Sequence, residues 1–88
     1  DITAKIIGAA MNVHKILGNG LQEVIYQRAL AYEFMEWEIY FKREFEMPIY
    51  YKENRVGERR VDFLVEGIIS VELKSVTKLD EIHLAQAL

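Results

Sequence analysis

The sequence contains no cysteine, a single proline and no long apolar run. The lack of cysteine excludes disulfide bridges and thiolate metal sites, and it agrees with a reducing, cytoplasmic compartment. No apolar stretch approaches the roughly 20 residues of a membrane-spanning helix, and no signal peptide is evident. We therefore expect neither a membrane segment nor a disulfide-stabilised secreted domain.

Excess positive charge is also absent. The 88 residues include 14 acidic and 11 basic side chains, which gives a formal net charge of −3. This balance provides no general attraction for nucleic acid, and proteins that insert a helix into the major groove are usually more basic. The length predicts one domain with a small core, and the 51% hydrophobic content excludes a disordered chain. The chain begins without Met and ends in a stretch that looks helical, so we expect residues 1–88 to be one C-terminally incomplete domain.

Apolar periodicity predicts the order of the elements. Residues 2–17 and 21–37 have helical spacing, and the glycines at 18 and 20 separate the two helices. From Phe41 to Ile49 the period changes to two, which predicts a strand with Pro48 at a sheet edge or bulge. The remaining segments are interpreted as a polar loop, two strands and a final helix: 51–58, 59–65, 68–75 and from Leu79 onward. The fold class is α/β, with two N-terminal helices, a three-stranded antiparallel sheet and a helix.

The apolar pattern of the last two strands selects their register. Pairing Phe63 with Val71 brings the two apolar sets to one face and leaves residues 66–68 as a three-residue loop. The same register places Asp62 opposite Glu72, with Lys74 on the same face. Three charged side chains are thereby predicted to lie together.

Two carboxylates directly opposite each other repel, at a cost of roughly 0.2–1 kcal/mol relative to a neutral pair. A divalent cation between them makes the arrangement favourable, because it attracts both carboxylates. Mg²⁺ is commonly held by one or two carboxylates together with waters and phosphate oxygens. Such a site can polarise a phosphodiester and activate a bound water, and Lys74 can stabilise charge that develops on the phosphate.

The alternative is an ordinary solvated face of the sheet. Glu-x-Lys alone is a weak signal, because Glu53-x-Arg55 and Glu58-x-Arg60 have nearly the same form. The basic residues from 52 to 60 alternate with these glutamates and are interpreted as a solvated loop. The order of elements argues against a solvated hairpin, because a hairpin flanked by helices usually has both faces covered. Covered charges require partners.

Several segments resemble a known family. "GLQEVIY", residues 20–26, is similar to the Gly-x-x-Glu-x-x-Tyr signature of the GxxExxY proteins, a branch of the PD-(D/E)XK nuclease superfamily. "VHKILGNGLQEVIYQRAL" resembles the opening of that family, and "RVDFLVEGIISVELKSV" resembles its core hairpin. The resemblance extends over nearly all of the chain. It implies a restriction-endonuclease-like core of helix, three strands, helix and strand, whose last strand we expect to be missing from this chain.

The resemblance also implies an activity, a metal and a substrate. It implies a Mg²⁺-dependent nuclease, with Mn²⁺ as a substitute, that hydrolyses phosphodiester bonds of nucleic acid, with DNA as the first expectation. Asp62 and Glu72 are then metal ligands, and the carbonyl of Leu73 completes the protein ligands. Lys74 is then catalytic. The oligomeric state stays open, and a homodimer is compatible with the sequence.

Two further residues receive a catalytic role from the resemblance alone. Glu23 matches the acidic residue that many relatives project from the first core helix toward the metal, although it could simply face solvent. Gln86 resembles the start of a Gln-x-x-x-Tyr element on the helix after the hairpin. Tyr26 is interpreted as a core aromatic with a tethered hydroxyl, not as a catalyst.

Two hypotheses from other classes remain. The domain could be a catalytically inactive nuclease fold that serves as a nucleic-acid or protein interaction module. Its acidic composition and small size favour that reading. A weaker alternative is that the charges stabilise a subunit interface.

Overall fold

The computed structural model describes residues 1–73 and 82–86. Two helices, α1 (Ile2–Leu17) and α2 (Glu23–Glu36), precede four strands in chain order. The strands are β1 (Phe41–Tyr51), β2 (Asn54–Val65), β3 (Ile69–Leu73) and β4 (Ile82–Gln86). They form one antiparallel sheet in the order β1-β2-β3-β4. The predicted α/β class is confirmed, and neither described helix is long and apolar enough to cross a membrane.

Helix α1 has the predicted limits and a defined cap at each end. The side chain of Asp1 accepts a 2.9 Å hydrogen bond from the backbone N–H of Ala4, which satisfies one of the free N–H groups of the first turn. At the other end Gly18 adopts a φ of 73°, and its N–H donates to the carbonyl of His14. Helix α2 was predicted over residues 21–37; it begins two residues later and ends one residue earlier.

Tyr26 fixes the connection between the helices. Its side chain is buried, and its hydroxyl donates to the carbonyl of Gly18 at 2.6 Å while accepting from the N–H of Leu21 at 3.1 Å. Both bonds fall within the turn that precedes α2. The prediction of a core aromatic with a tethered hydroxyl is confirmed.

The core lies between the helices and one face of the sheet. Leu30 and Phe34 of α2 are fully buried in the same cluster as Phe63, Val65 and Val71 of the hairpin. The rings of Phe34 and Phe63 meet edge to face, with centroids 5.1 Å apart. Helix α2 is therefore packed directly on the strands that carry the candidate site.

The predicted loop 51–58 was wrong. Strand β1 continues to Tyr51, the chain turns at Lys52 and Glu53, and β2 begins at Asn54. Residues 49–60 are all exposed, so this part of the hairpin buries neither face and shows no apolar alternation from which a strand could be predicted.

The edge position of Pro48 is confirmed. It lies in β1, the first strand of the sheet order, and the register of β1 and β2 shifts between Ile49 and Tyr50. Proline lacks the N–H that a central strand would need, and a bulge limits further pairing at an open edge.

The final element differs most from the prediction. Residues 82–86 form β4, so the predicted helix from Leu79 is wrong over this range and the sheet has four strands, not three. Ile82 and Leu84 pack against the core while His83 and Ala85 are exposed, which is a period-two pattern. Strand β4 takes the free edge of β3, with Leu73 opposite Ile82. The rest of the predicted helix, residues 79–81 and 87–88, lies outside the described residues.

Candidate functional site

The hairpin of β2 and β3 has the predicted register. Phe63 pairs with Val71 and Val65 with Ile69, which leaves Glu66 to Ile68 as the three-residue loop. Gly67 has a φ of 72°, a conformation that glycine adopts without steric cost. The apolar alternation was therefore sufficient to determine how these two strands pair.

The carboxylate of Asp62 extends this pairing with a side-chain contact. Asp62 directly precedes Phe63, the residue paired with Val71, and its Oδ2 accepts a 2.7 Å hydrogen bond from the N–H of Leu73. A bond to a charged acceptor is among the stronger hydrogen bonds in proteins. The Asp62 carboxylate is thus fixed against β3, beside the peptide unit that joins Glu72 to Leu73.

Helix α2 holds the other oxygen of this carboxylate. Nε2 of Gln27 donates to Asp62 Oδ1 at 2.9 Å, and Oε1 of Gln27 accepts from Nη2 of Arg43 at 2.5 Å. Gln27 is only 6% exposed, so its amide is largely removed from water. Side chains from β1, α2 and β2 are thereby linked in one chain of hydrogen bonds that ends at Asp62.

The backbone across from Asp62 is irregular. Arg43 pairs with Phe63 and Phe45 pairs with Val61, so Glu44 lies opposite Asp62 in the register of β1 and β2. Glu44 has a φ of 49°, which is unusual for a non-glycine residue within a strand. The register of β1 and β2 continues through this position without an inserted residue, and the opposed Asp62 carboxylate reaches across to β3.

Glu72 is paired with Arg59. The Nη2 group of Arg59 contacts Oε2 of Glu72, whose side chain is only 18% exposed, whereas the Arg59 side chain is about half exposed. Along the sheet Glu72 pairs with His83 of β4. A largely buried carboxylate needs such a counter-charge, because burial without a partner is costly.

Glu23 lies on the helix face that approaches Asp62. It is the first residue of α2, half-buried, and one helical turn before Gln27. The hydrogen bonds of Asp62 within the described residues go to Gln27 and Leu73, and Glu23 forms none with it.

Gln86, another predicted catalytic residue, is not brought to the carboxylates. Gln86 pairs with Ile69, three residues along β3 from Glu72, which corresponds to about 10 Å. Lys74 lies outside the described residues. Within residues 1–73 and 82–86, no three histidine, aspartate or glutamate side chains are grouped to hold a metal ion.

The donor chemistry of the predicted metal ligands nevertheless fits a hard divalent cation. Asp62, Glu72 and the carbonyl of Leu73 offer only oxygen atoms, which Mg²⁺ prefers. Each oxygen of Asp62 accepts one N–H, and an ionised carboxylate has about four acceptor positions, so capacity remains for a cation. At Glu72 a cation would have to displace Arg59 or share the carboxylate with it.

Sequence reasoning missed Gln27, Arg43 and Arg59. Gln27 gave one signal, because it is a polar residue four positions after Glu23 within a largely apolar helix. Arg59 was predicted to begin a strand but was interpreted, with the other basic residues from 52 to 60, as solvated; in the structure it contacts Glu72. Arg43 shares the strand face of Phe41 and Phe45 in β1, so it is a charge at an apolar position, but periodicity does not reveal which residue it contacts.

A comparison with protein-family models bears on this arrangement. The model of the PD-(D/E)XK nuclease superfamily matches residues 1–88. No curated protein and no solved structure matches the chain. The matched region includes both helices and the hairpin that carries Asp62 and Glu72.

Proposed function

The chain belongs to the PD-(D/E)XK nuclease superfamily, and from this premise we propose that it is a metal-dependent nuclease that hydrolyses phosphodiester bonds of nucleic acid. One observation carries the proposal. The 2.7 Å hydrogen bond from the N–H of Leu73 to Asp62 joins β2 to β3 within the hairpin on which the superfamily carries its carboxylates.

In this proposal Asp62, Glu72 and the carbonyl of Leu73 hold Mg²⁺, or Mn²⁺ in its place. When bound, the cation would supply positive charge to a phosphodiester oxygen and lower the pKa of a coordinated water. The protein contributes a carboxylate whose two oxygens are already oriented by Gln27 and Leu73. Such preorganisation lowers the cost of assembling a charged site.

Lys74 and Glu23 complete the proposed catalytic group. Lys74 directly follows Leu73, and its ammonium is suited to stabilise negative charge on the reacting phosphate. Glu23 is one turn from Gln27 on the helix face that reaches Asp62, from where it can accept a hydrogen bond from a water near the metal. Gln86 is left out, because it pairs with Ile69 at the other end of β3.

DNA is the proposed substrate. The substrate class follows from the superfamily, whereas the choice of DNA over RNA is tested by presenting both. Since the net charge is −3, we expect substrate binding to depend on the metal and on a few local cations and not on a broad basic surface.

A second candidate function is a non-catalytic nucleic-acid or protein interaction module. The contact between Arg59 and Glu72 favours it, because a guanidinium already neutralises one of the two proposed ligands. This alternative predicts no metal-dependent cleavage.

The deciding experiment is a cleavage assay on the full protein. Supercoiled plasmid, linear duplex, single-stranded DNA and RNA are incubated with Mg²⁺, Mn²⁺ or EDTA. Asp62→Ala and Lys74→Ala should each remove the metal-dependent product, with losses of roughly 10²-fold or more. Glu53→Ala is the matched control, because it removes an exposed carboxylate from the turn between β1 and β2. Cleavage that is unchanged in both site variants would overturn the proposed function.

A further inference from the structure

Both polar atoms of the Gln27 side-chain amide form hydrogen bonds. Its oxygen accepts from Arg43 at 2.5 Å, its nitrogen donates to Asp62 at 2.9 Å, and the residue is 6% exposed. A buried glutamine could simply satisfy its own polar groups. Here, however, both of its partners are charged, and one of them is a proposed metal ligand.

Arg43 determines which way the amide points. A guanidinium can only donate hydrogen bonds, so the atom of Gln27 that faces Arg43 must be the carbonyl oxygen. The NH₂ group then faces Asp62, where a carboxylate can only accept. The direction of the amide is therefore fixed by the donor and acceptor chemistry of its two partners.

We propose that Gln27 is a positioning residue for Asp62, with Arg43 as the group that orients it. Asp62 is then held by two donors from different elements, Gln27 on one oxygen and the N–H of Leu73 on the other. Two donors on opposite oxygens fix the plane of the carboxylate against β3. This inference rests on the proposed function in one respect, namely that the oriented carboxylate serves the proposed metal site.

Replacement of Arg43 is an informative test, because positioning and simple electrostatics predict opposite changes in metal affinity. Removing a cation near two carboxylates should strengthen the binding of a divalent cation if only charge matters. If Arg43 acts by orienting Gln27, its removal should weaken metal binding, although Arg43 forms no described hydrogen bond to Asp62 or Glu72. The sign of the change in Mn²⁺ affinity separates the two.

The first measurement is Mn²⁺ affinity by electron paramagnetic resonance on Gln27→Met, Arg43→Met and the double variant. Removal of a hydrogen-bond partner of a metal ligand typically weakens metal binding about 10- to 100-fold, which we expect for Gln27→Met. Arg43→Met should weaken binding by a smaller factor. The double variant should match Gln27→Met, because Arg43 acts through Gln27.

Arg28→Met is the matched control. Arg28 is exposed and adjacent to Gln27 in the chain, so this variant removes a nearby positive charge but leaves the hydrogen-bonded chain intact. Its Mn²⁺ affinity should be unchanged or slightly higher. Tighter or unchanged binding in Arg43→Met, or independent effects in the double variant, would overturn the proposal.

A second measurement needs no metal. The amide of Leu73 donates to Asp62, so its hydrogen exchange reports whether the carboxylate is held in place. Gln27→Met and Arg43→Met should accelerate exchange at Leu73 relative to Val71, a buried residue of the same strand. Unchanged exchange at Leu73 in both variants would contradict the positioning role.

The two measurements separate this inference from the proposed function. A wild-type protein that binds no Mn²⁺, with faster exchange at Leu73 in both variants, would show that Gln27 positions Asp62 and that the metal proposal is wrong. A purely structural role would lower the stability of both variants but leave the Mn²⁺ affinity of the folded protein and the relative exchange at Leu73 unchanged.

Discussion

The N–H of Leu73 donates a 2.7 Å hydrogen bond to Oδ2 of Asp62. This bond joins β2 to β3 one residue beyond Phe63 and two residues beyond Val71, which form the last backbone pair. It involves a side chain that a different register would direct elsewhere. The apolar residues of the hairpin therefore determine the location of a charged residue. Core packing and the candidate site depend on the same register.

Arg59 should oppose metal binding. Arg59→Met removes the counter-charge of Glu72 and the group with which a cation must compete. We expect the metal-free variant to lose about 1–2 kcal/mol of unfolding free energy, because the contact between Arg59 and the largely buried Glu72 carboxylate is lost. If displacing Arg59 costs about 1 kcal/mol, Mn²⁺ should bind about fivefold more tightly to the variant. Urea denaturation and Mn²⁺ titration measure the two effects.

Arg55→Met is the control for Arg59. Arg55 forms an exposed pair with Glu58, and such pairs contribute at most about 1 kcal/mol. Its removal should leave Mn²⁺ affinity unchanged. Weaker Mn²⁺ binding in Arg59→Met would mean that Arg59 supports the site instead of competing for it.

The hydroxyl of Tyr26 should stabilise the fold without taking part in catalysis. Tyr26→Phe keeps the buried ring but removes the bonds to Gly18 and Leu21. We expect a loss of about 1–2 kcal/mol in unfolding free energy and full cleavage activity in the folded protein. Tyr32→Phe is the control, because Tyr32 is exposed and should change stability by less than about 0.5 kcal/mol. A Tyr26→Phe variant of normal stability that has lost cleavage would instead assign the hydroxyl to the chemistry.

A glycine in the turn between β1 and β2 should stabilise the fold. Glu53 has a φ of 71°, a conformation that is costly for glutamate and free for glycine. Glu53→Gly should therefore raise the unfolding free energy by up to about 1 kcal/mol, as measured by thermal denaturation. The same substitution at Glu46, within β1, should lower it, because glycine weakens a strand interior. Destabilisation by Glu53→Gly would mean that the turn has a different conformation in solution.

Much of the fold could be predicted because its elements each bury one face. The limits of α1, the class, and the pairing of Phe63 with Val71 all follow from apolar spacing, and the structure confirms them. Prediction failed where burial was slight. The exposed outer part of β1 and β2 appeared as a loop, and β4 appeared as a helix because its few apolar residues fit either period.

The candidate site could be predicted only in part, for a related reason. Asp62 and Glu72 lie on strands whose register is set by apolar neighbours, so their positions follow from the pattern. Gln27 and Arg43 reach Asp62 from α2 and β1, and their contacts depend on how the helix packs on the sheet. A periodic pattern carries no information about such long-range contacts between polar side chains.

We propose that Asp62 and Glu72 share a divalent cation, and paramagnetic broadening of backbone amide signals by substoichiometric Mn²⁺ is the sharpest test of that site. The amides of Asp62, Glu72 and Leu73 should broaden first, and Ile69 at the other end of β3 should broaden later. Asp62→Asn should abolish the effect. Broadening that begins at the exposed glutamates of the β1–β2 turn, or that is the same in Asp62→Asn, would contradict the proposed site.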